Sequence, residues 1–128
     1  MVTTSYQYPQ YLYALNNGEA TQLPNGSWSD NAATWELKAA CREETNGKGA
    51  TIQTADSKSL VFASLIQLPK GTPRINEGTE IIVTREEVAV TQLLNKDYIA
   101  TAKDSGQIVV IGTCQKYDFG RLHCRMWI

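Results

Sequence analysis

Residues 114–128 read CQKYDFGRLHCRMWI, and the way they fold decides the class of the domain. They hold the chain's only histidine, two of its three cysteines and a DFG triplet. Leu122, Cys124, Met126 and Ile128 share one parity, and His123, Arg125 and Trp127 share the other, which is the period of a half-buried strand. Asp118-Phe119-Gly120 just ahead reads as a three-residue hairpin loop with glycine in the left-handed position. On that register Tyr117 faces Arg121 and Cys114 faces Cys124. The stretch is therefore the closing hairpin of a β domain, with GQIVVIGTCQKY (106–117) as its first strand.

The same period runs upstream. YQYPQYLYAL (6–15) places Tyr11, Tyr13 and Leu15 on one face, and Pro9, which has no N–H to donate, marks an edge or a strand start. Pro24-Asn25-Gly26 is a turn signal. In TWELKAAC (34–41), Trp35, Leu37, Ala39 and Cys41 alternate with Glu36 and Lys38, and REETNGKG (42–49) reads as a long exposed loop. ATIQTADSKSLVFASLIQL (50–68) reads as two strands around a turn near Asp56-Ser57. The second is apolar on both faces and so central. Pro69, Gly71 and Pro73 break the chain, Glu77-Gly78 turns it, and Glu80 to Val83 is a further strand.

Residues 84–106 differ. Thr84 and Glu87 have capping-box spacing. Val90, Leu93 and Leu94 follow helical spacing, Asn95 is placed to cap a second short helix at 96–105, and Gly106 to stop it. VAVTQ (88–92) also fits a strand. The expected fold is mainly β, a small antiparallel β-barrel or sandwich with one or two short helices in an insertion near residues 84–106. It forms a single barrel-like domain over residues 1–128.

Composition excludes several classes. With 42% hydrophobic and 20% charged residues the chain is neither disordered nor membranous. Its 12 basic against 13 acidic side chains leave no electrostatic footprint for nucleic acid or an anionic membrane. The opening MVTTSYQYPQY has no basic start and no apolar run, so a signal peptide is not expected. An odd cysteine count without a CxxC pair fits free thiols in a reducing compartment.

The motifs that invite a catalytic reading do not sustain one. A kinase DFG needs a glycine-rich loop, a strand lysine and a catalytic loop before it. His123 and Cys124 are adjacent, so on a strand they point to opposite faces and cannot share a metal ion. Cys114, Cys124 and Cys41 lack zinc-ligand spacing. Two buried thiols are the reading preferred here, and a cross-strand disulfide is the weaker alternative. His123 lies across the strand from both thiols, so no Cys–His pair forms. NGKG and PKGT lack the strand–loop–helix setting of phosphate loops. No catalytic residue, cofactor or metal is expected. Tyr6, Tyr8, His123, Arg125 and Trp127 are interface-like, since Tyr, Trp and Arg serve as binding anchors.

The order of these segments resembles a known family. An N-terminal strand leads through NGSW (25–28) to a Trp-bearing strand and CREETNGKG (41–49). Ile75, Gly78, Thr79, Ile81 and Val83 follow in RINEGTEIIV (74–83), and GTCQKYDFGRLHCRMWI (112–128) ends the chain. Over roughly residues 10–83 and 107–128 this is similar to the head–tail connector proteins of tailed phages and prophages, known as head completion, head closure, stopper or adaptor proteins. The resemblance implies a non-enzymatic subunit of a homo-oligomeric ring in the virion, assembled in the bacterial host cytoplasm. Its partners would be the portal or adaptor on one side and tail proteins on the other. DNA would pass nearby without specific binding, and no membrane is involved. Family loops meet neighbours, which adds Arg42, Lys48, Lys70 and Arg74 to the interface candidates. Residues 84–106 depart from the pattern as an insertion. The alternative is a small β-barrel binding module for oligosaccharide or single-stranded nucleic acid, with the aromatic strands as stacking platform. A small β enzyme would need His123 to face inward.

Overall fold

The computed structural model describes residues 2, 4–16, 21–22, 24–26, 28–29, 33–46, 49–53 and 59–128. The strands are β1 (Gln10–Asn16), β2 (Thr21–Gln22), β3 (Trp28–Ser29), β4 (Thr34–Thr45), β5 (Thr51–Gln53), β6 (Ser59–Val61), β7 (Ser64–Pro69) and β8 (Glu80–Thr84). A 3-10 helix (Val90–Leu94) and α1 (Lys96–Ser105) follow, then β9 (Ile108–Thr113), β10 (Lys116–Phe119) and β11 (His123–Trp127). The chain is mainly β, and both helices fall inside the expected insertion.

Seven strands form one sheet in the order β10-β11-β7-β4-β1-β8-β9, and every pairing in it is antiparallel. β4 is its hinge. Residues 34–41 pair with β1, and Arg42–Thr45 pair with β7. The expected loop at 42–45 is therefore strand. Long polar side chains are compatible with a strand whose outer face meets water, and that is what the loop reading overlooked. The front of β4 with β1, β8 and β9 makes the first half, and the back of β4 with β7, β11 and β10 makes the second. The main core is gathered from both halves, with Leu12, Ala39, Cys41, Ile81 and Val83 from the first and Ile66, Leu68, Tyr117, Cys124 and Met126 from the second.

The sheet does not close into a barrel. Its edge strands β9 and β10 are consecutive in the chain, yet no ladder joins them among the described residues. The reason lies in two neighbouring amides. Cys114 N–H donates to Thr79 O (2.8 Å) in the first half, and Gln115 N–H donates to Trp127 O (2.7 Å) in the second. The chain crosses from one edge to the other at that corner and diverges from it, so the expected single strand 106–117 is two strands. The opening is covered by residues 70–79 instead. The Tyr117 hydroxyl donates to Thr72 O at 3.0 Å, the Cys114 thiol reaches Ile75 O at 3.7 Å, and the Ile75 side chain is buried.

A bulge re-aims β4. Leu12 pairs with Ala39 but Tyr13 pairs with Leu37, so Lys38 has no opposite number. The alternation expected to put Trp35, Leu37, Ala39 and Cys41 on one face is split. Trp35 and Leu37 pack with Tyr13, whereas Ala39 and Cys41 point into the main core. Tyr11, Tyr13 and Leu15 do share a face.

The insertion covers that face. Leu93 and Ala102 bury against Tyr13, Trp35, Ile82 and Ile108. Asn95 caps α1, its Oδ1 accepting from the Asp97 and Tyr98 amides, and Gly106 ends it at φ 81°, a conformation that costs a side chain energy. Thr84 starts no helix. It ends β8, and its hydroxyl donates to Glu86 O at 2.7 Å. The next segment is held by Tyr13, whose hydroxyl accepts from Val88 N–H at 2.9 Å and lies 3.2 Å from Val88 O. Arg85 closes the base of the insertion, with Nε donating to Gly106 O at 2.7 Å. VAVTQ is thus partly 3-10 helix and not a strand.

The final hairpin exists on a different register. Phe119 pairs with Cys124, Asp118 with Arg125 and Tyr117 with Met126, so the four residues Gly120 to His123 connect the last pair, with His123 already pairing to Pro69 of β7. The expected Tyr117–Arg121 and Cys114–Cys124 pairs do not form. Gly120 does not take the expected left-handed conformation; glycine is needed there because a Cβ would run into the carbonyl oxygen of His123. Pro24-Asn25-Gly26 and Glu77-Gly78 are turns, as expected. The turn near Asp56-Ser57 lies outside the described residues. The expected single second strand, apolar on both faces, is instead two: β6, which pairs with β5, and β7, which lies inside the main sheet and buries only Ser64, Ile66 and Leu68 on its inner face.

Candidate assembly surfaces

The groups that looked reactive in the sequence are interior. Cys41, Cys114 and Cys124 are all free and buried in the main core. Burial, with Glu43 nearby, pushes the Cys41 thiol up to about 12, and burial with Glu77 pushes Cys114 up to about 11. Burial likewise raises the Tyr117 hydroxyl. Such thiols stay protonated at neutral pH and are poor nucleophiles. His123 sits half-buried on the opposite face of β11 from Cys124, and no cluster of metal-ligating side chains forms among the described residues.

The predicted interface residues fall into separate places. Arg42, His123, Arg125 and Trp127 share the outer face of the second half. Two cross-strand rows organise it: Arg42, Gln67, Arg125 and Asp118 in one, and Glu44, Leu65, Trp127 and Lys116 in the next. Arg125 pairs with Asp118 at 3.4 Å, and Gln67 donates to Glu44 at 3.0 Å. No helix packs over these rows among the described residues. Trp127 is nevertheless only 9% exposed, because Lys116 and Arg125 lie across its ring at 5.4 and 5.5 Å from the centroid. A tryptophan on an inner strand is flanked on both sides, and the two cations cover what remains.

Lys70 and Arg74 are exposed on the segment joining β7 to β8, and Tyr6, 98% exposed, and Tyr8 lie in a turn before β1. That turn is closed by Ser5 N–H donating to Tyr8 O at 3.0 Å. Lys48 lies outside the described residues. Arg74 and Lys38 both line a groove that also takes in Asn16 and Thr79.

Two features escaped the sequence reading. The tip of the β10–β11 hairpin exposes Phe119 (57%) and Leu122 (83%), with Lys70 and Arg121 flanking Leu122 around a shallow cavity. Alternation aims Leu122 inward, and a DFG turn makes Phe119 a loop residue. The second feature is a pocket of about 290 Å³ on the outer face of the first half, where the insertion stops short of the sheet edge. Trp35, Ile82, Ile99 and Ile111 line it with Gly112 and Thr113, and Glu80 supplies its one charged group among the described residues. No signal in the sequence shows where a helix will end relative to a sheet edge, so the pocket was not legible there.

Comparison with protein-family models, curated proteins and solved structures returned no match.

Proposed function

We propose that this chain is a structural subunit of the head–tail junction of a tailed phage or prophage, of the stopper or adaptor kind, working in a ring that joins portal to tail. The resemblance of residues 10–83 and 107–128 to that family motivates the reading. The observation that carries it is where the unspent surface lies. Every thiol and the most perturbed hydroxyl are locked in the core, whereas Phe119, Leu122 and Ile111 are left exposed at a hairpin tip and a sheet edge. Exposed apolar groups at edges and tips are the material of subunit contacts. The ribbon β5–β6 adds a projection with Val61 exposed, its base held by Asn46, whose Nδ2 donates to Phe62 O at 2.7 Å.

The balanced charge supports a subunit that lets DNA pass, because phosphate contacts dominate retention. The alternative of a carbohydrate or single-strand binder loses its platform. Tyr13 is fully buried, and Tyr11 and Leu15 pack with it under the insertion. Among the described residues no helix is long and apolar enough to cross a membrane.

The test is mass by light scattering on the protein alone and mixed with portal-bearing, tail-free heads, with the heads then imaged. The expected result is a ring, or density added at the portal vertex. A strict monomer that never joins heads would end the reading.

A further inference from the structure

The two unpredicted features are complementary in shape and charge. The hairpin tip is an apolar knob ringed by cations: Leu122 stands 83% exposed between Lys70 and Arg121. The pocket beside α1 is an apolar hole with one acid on its rim, Glu80. Its 290 Å³ is ample for a leucine side chain, since a cavity of about 150 Å³ accepts benzene. The tip does not fill the pocket of its own chain, as its exposure shows.

The charges are also available. Among the described residues the ion pairs are Lys38–Glu36 and Arg125–Asp118, so neither Glu80 nor Arg121 is engaged. An unpaired cation beside the knob and an unpaired acid beside the hole are what a directional contact requires.

We propose that Leu122 of one copy seats in the Trp35–Ile82–Ile99–Ile111 pocket of the next, with Arg121 against Glu80. The inference rests on the ring reading and deepens it. The contact joins two different patches, so it is heterologous, and repeating it produces a ring when the rotation closes and a filament when it does not. Leu122 is the anchor, and the charged pair sets register and encounter rate. The insertion thereby gains a role, because Ile99 of α1 is one wall of the socket.

The experiment is sedimentation velocity over a concentration series, repeated on portal-bearing heads. It takes the wild type, Leu122→Asp, Glu80→Arg, Arg121→Glu and the double reversal Glu80→Arg/Arg121→Glu. All three positions are exposed, so thermal melts should match the wild type. Leu122→Asp and each single reversal should raise the midpoint of association at least tenfold. The double reversal should return it to within about threefold of the wild type, because the pair is restored with its sense inverted. A wild-type ring with variants that assemble equally well would overturn the contact and leave the ring reading standing. Single reversals that weaken association without rescue in the double would also overturn it. A wild type that neither self-associates nor joins heads would overturn both.

Discussion

The two halves of the sheet are built from the same antiparallel pairing and share β4, yet they end differently. In the first half both faces are buried: Leu12, Ile81 and Val83 point into the main core, and Tyr13, Trp35 and Ile82 lie under the insertion. In the second half the inner face holds Ile66, Leu68, Cys124 and Met126, while the outer face carries Arg42, Gln67, Arg125 and Lys116. A strand's inward residues are set by the core they share, and its outward residues by whatever covers them. Here a segment of about twenty residues makes that difference. It converts one open face into a second core and leaves a socket where it stops.

The largest effect expected from this contrast comes from truncating the cover. Leu93 is the fully buried apolar anchor of the 3-10 helix, held among Tyr13, Trp35 and Ile82. Leu93→Ala should cost about 2–5 kcal/mol, the lost transfer energy plus the cavity. Gln67→Ala, on the open face of the other half, should fall within about 0.5 kcal/mol. Denaturant melts of both variants decide it. Equal, small losses would mean that the insertion is an ornament and that the first half is as open as the second.

A middle-sized effect sharpens the hairpin end of the second half. The carbonyl oxygen of His123 occupies the space a Cβ would need at Gly120, so Gly120→Ala must move backbone. The cost should be about 1–3 kcal/mol, the usual penalty for forcing in a carbon where the structure cannot yield. Amide exchange should be faster at β10 and β11 and unchanged at β8 and β9. Uniform loosening instead would show that the hairpin is not a separable part of the second half.

These cases also show where residues spoke for themselves. Asn95 and Gly106 declared α1, because capping is local chemistry between a side chain and the amides next to it. The alternation of β11 declares a strand, because one face of it is core, whereas LVFASLI reads as apolar on both faces although β7 buries only alternate residues. The bulge at Lys38 was not legible. Nothing in TWELKAAC distinguishes a strand with one face from one that twists both pairs of apolar residues to opposite sides; the partner strand decides. The hairpin register failed in a similar way. DFG is a good turn sequence, but Tyr117 and Met126 belong in the same core layer, and that pairing moves the connection to Gly120-Arg121-Leu122-His123. Leu122, legible as a strand residue, thereby became the exposed tip. The open barrel followed from two adjacent amides choosing different halves, a tertiary fact with no local signal.

The smallest effect tests what the open face is for. Arg125 lies across the Trp127 ring and meets Asp118 at 3.4 Å with both side chains substantially exposed. An exposed cation–π contact contributes about 0.5–1 kcal/mol and an exposed ion pair about 0–1 kcal/mol, and salt screens the latter. Arg125→Ala should therefore change stability by no more than about 1 kcal/mol while shifting Trp127 fluorescence to the red, as water reaches the ring. Trp127→Ala is the wrong probe for this purpose, since a side chain 9% exposed is part of the packing and its loss confounds folding with recognition. If the face exists to be met by a partner, Arg125→Ala should weaken attachment to portal-bearing heads by far more than its stability cost accounts for. If attachment falls only in step with stability, the open half is merely solvated, and the proposed ring contact is left to the hairpin tip and the pocket of the covered half.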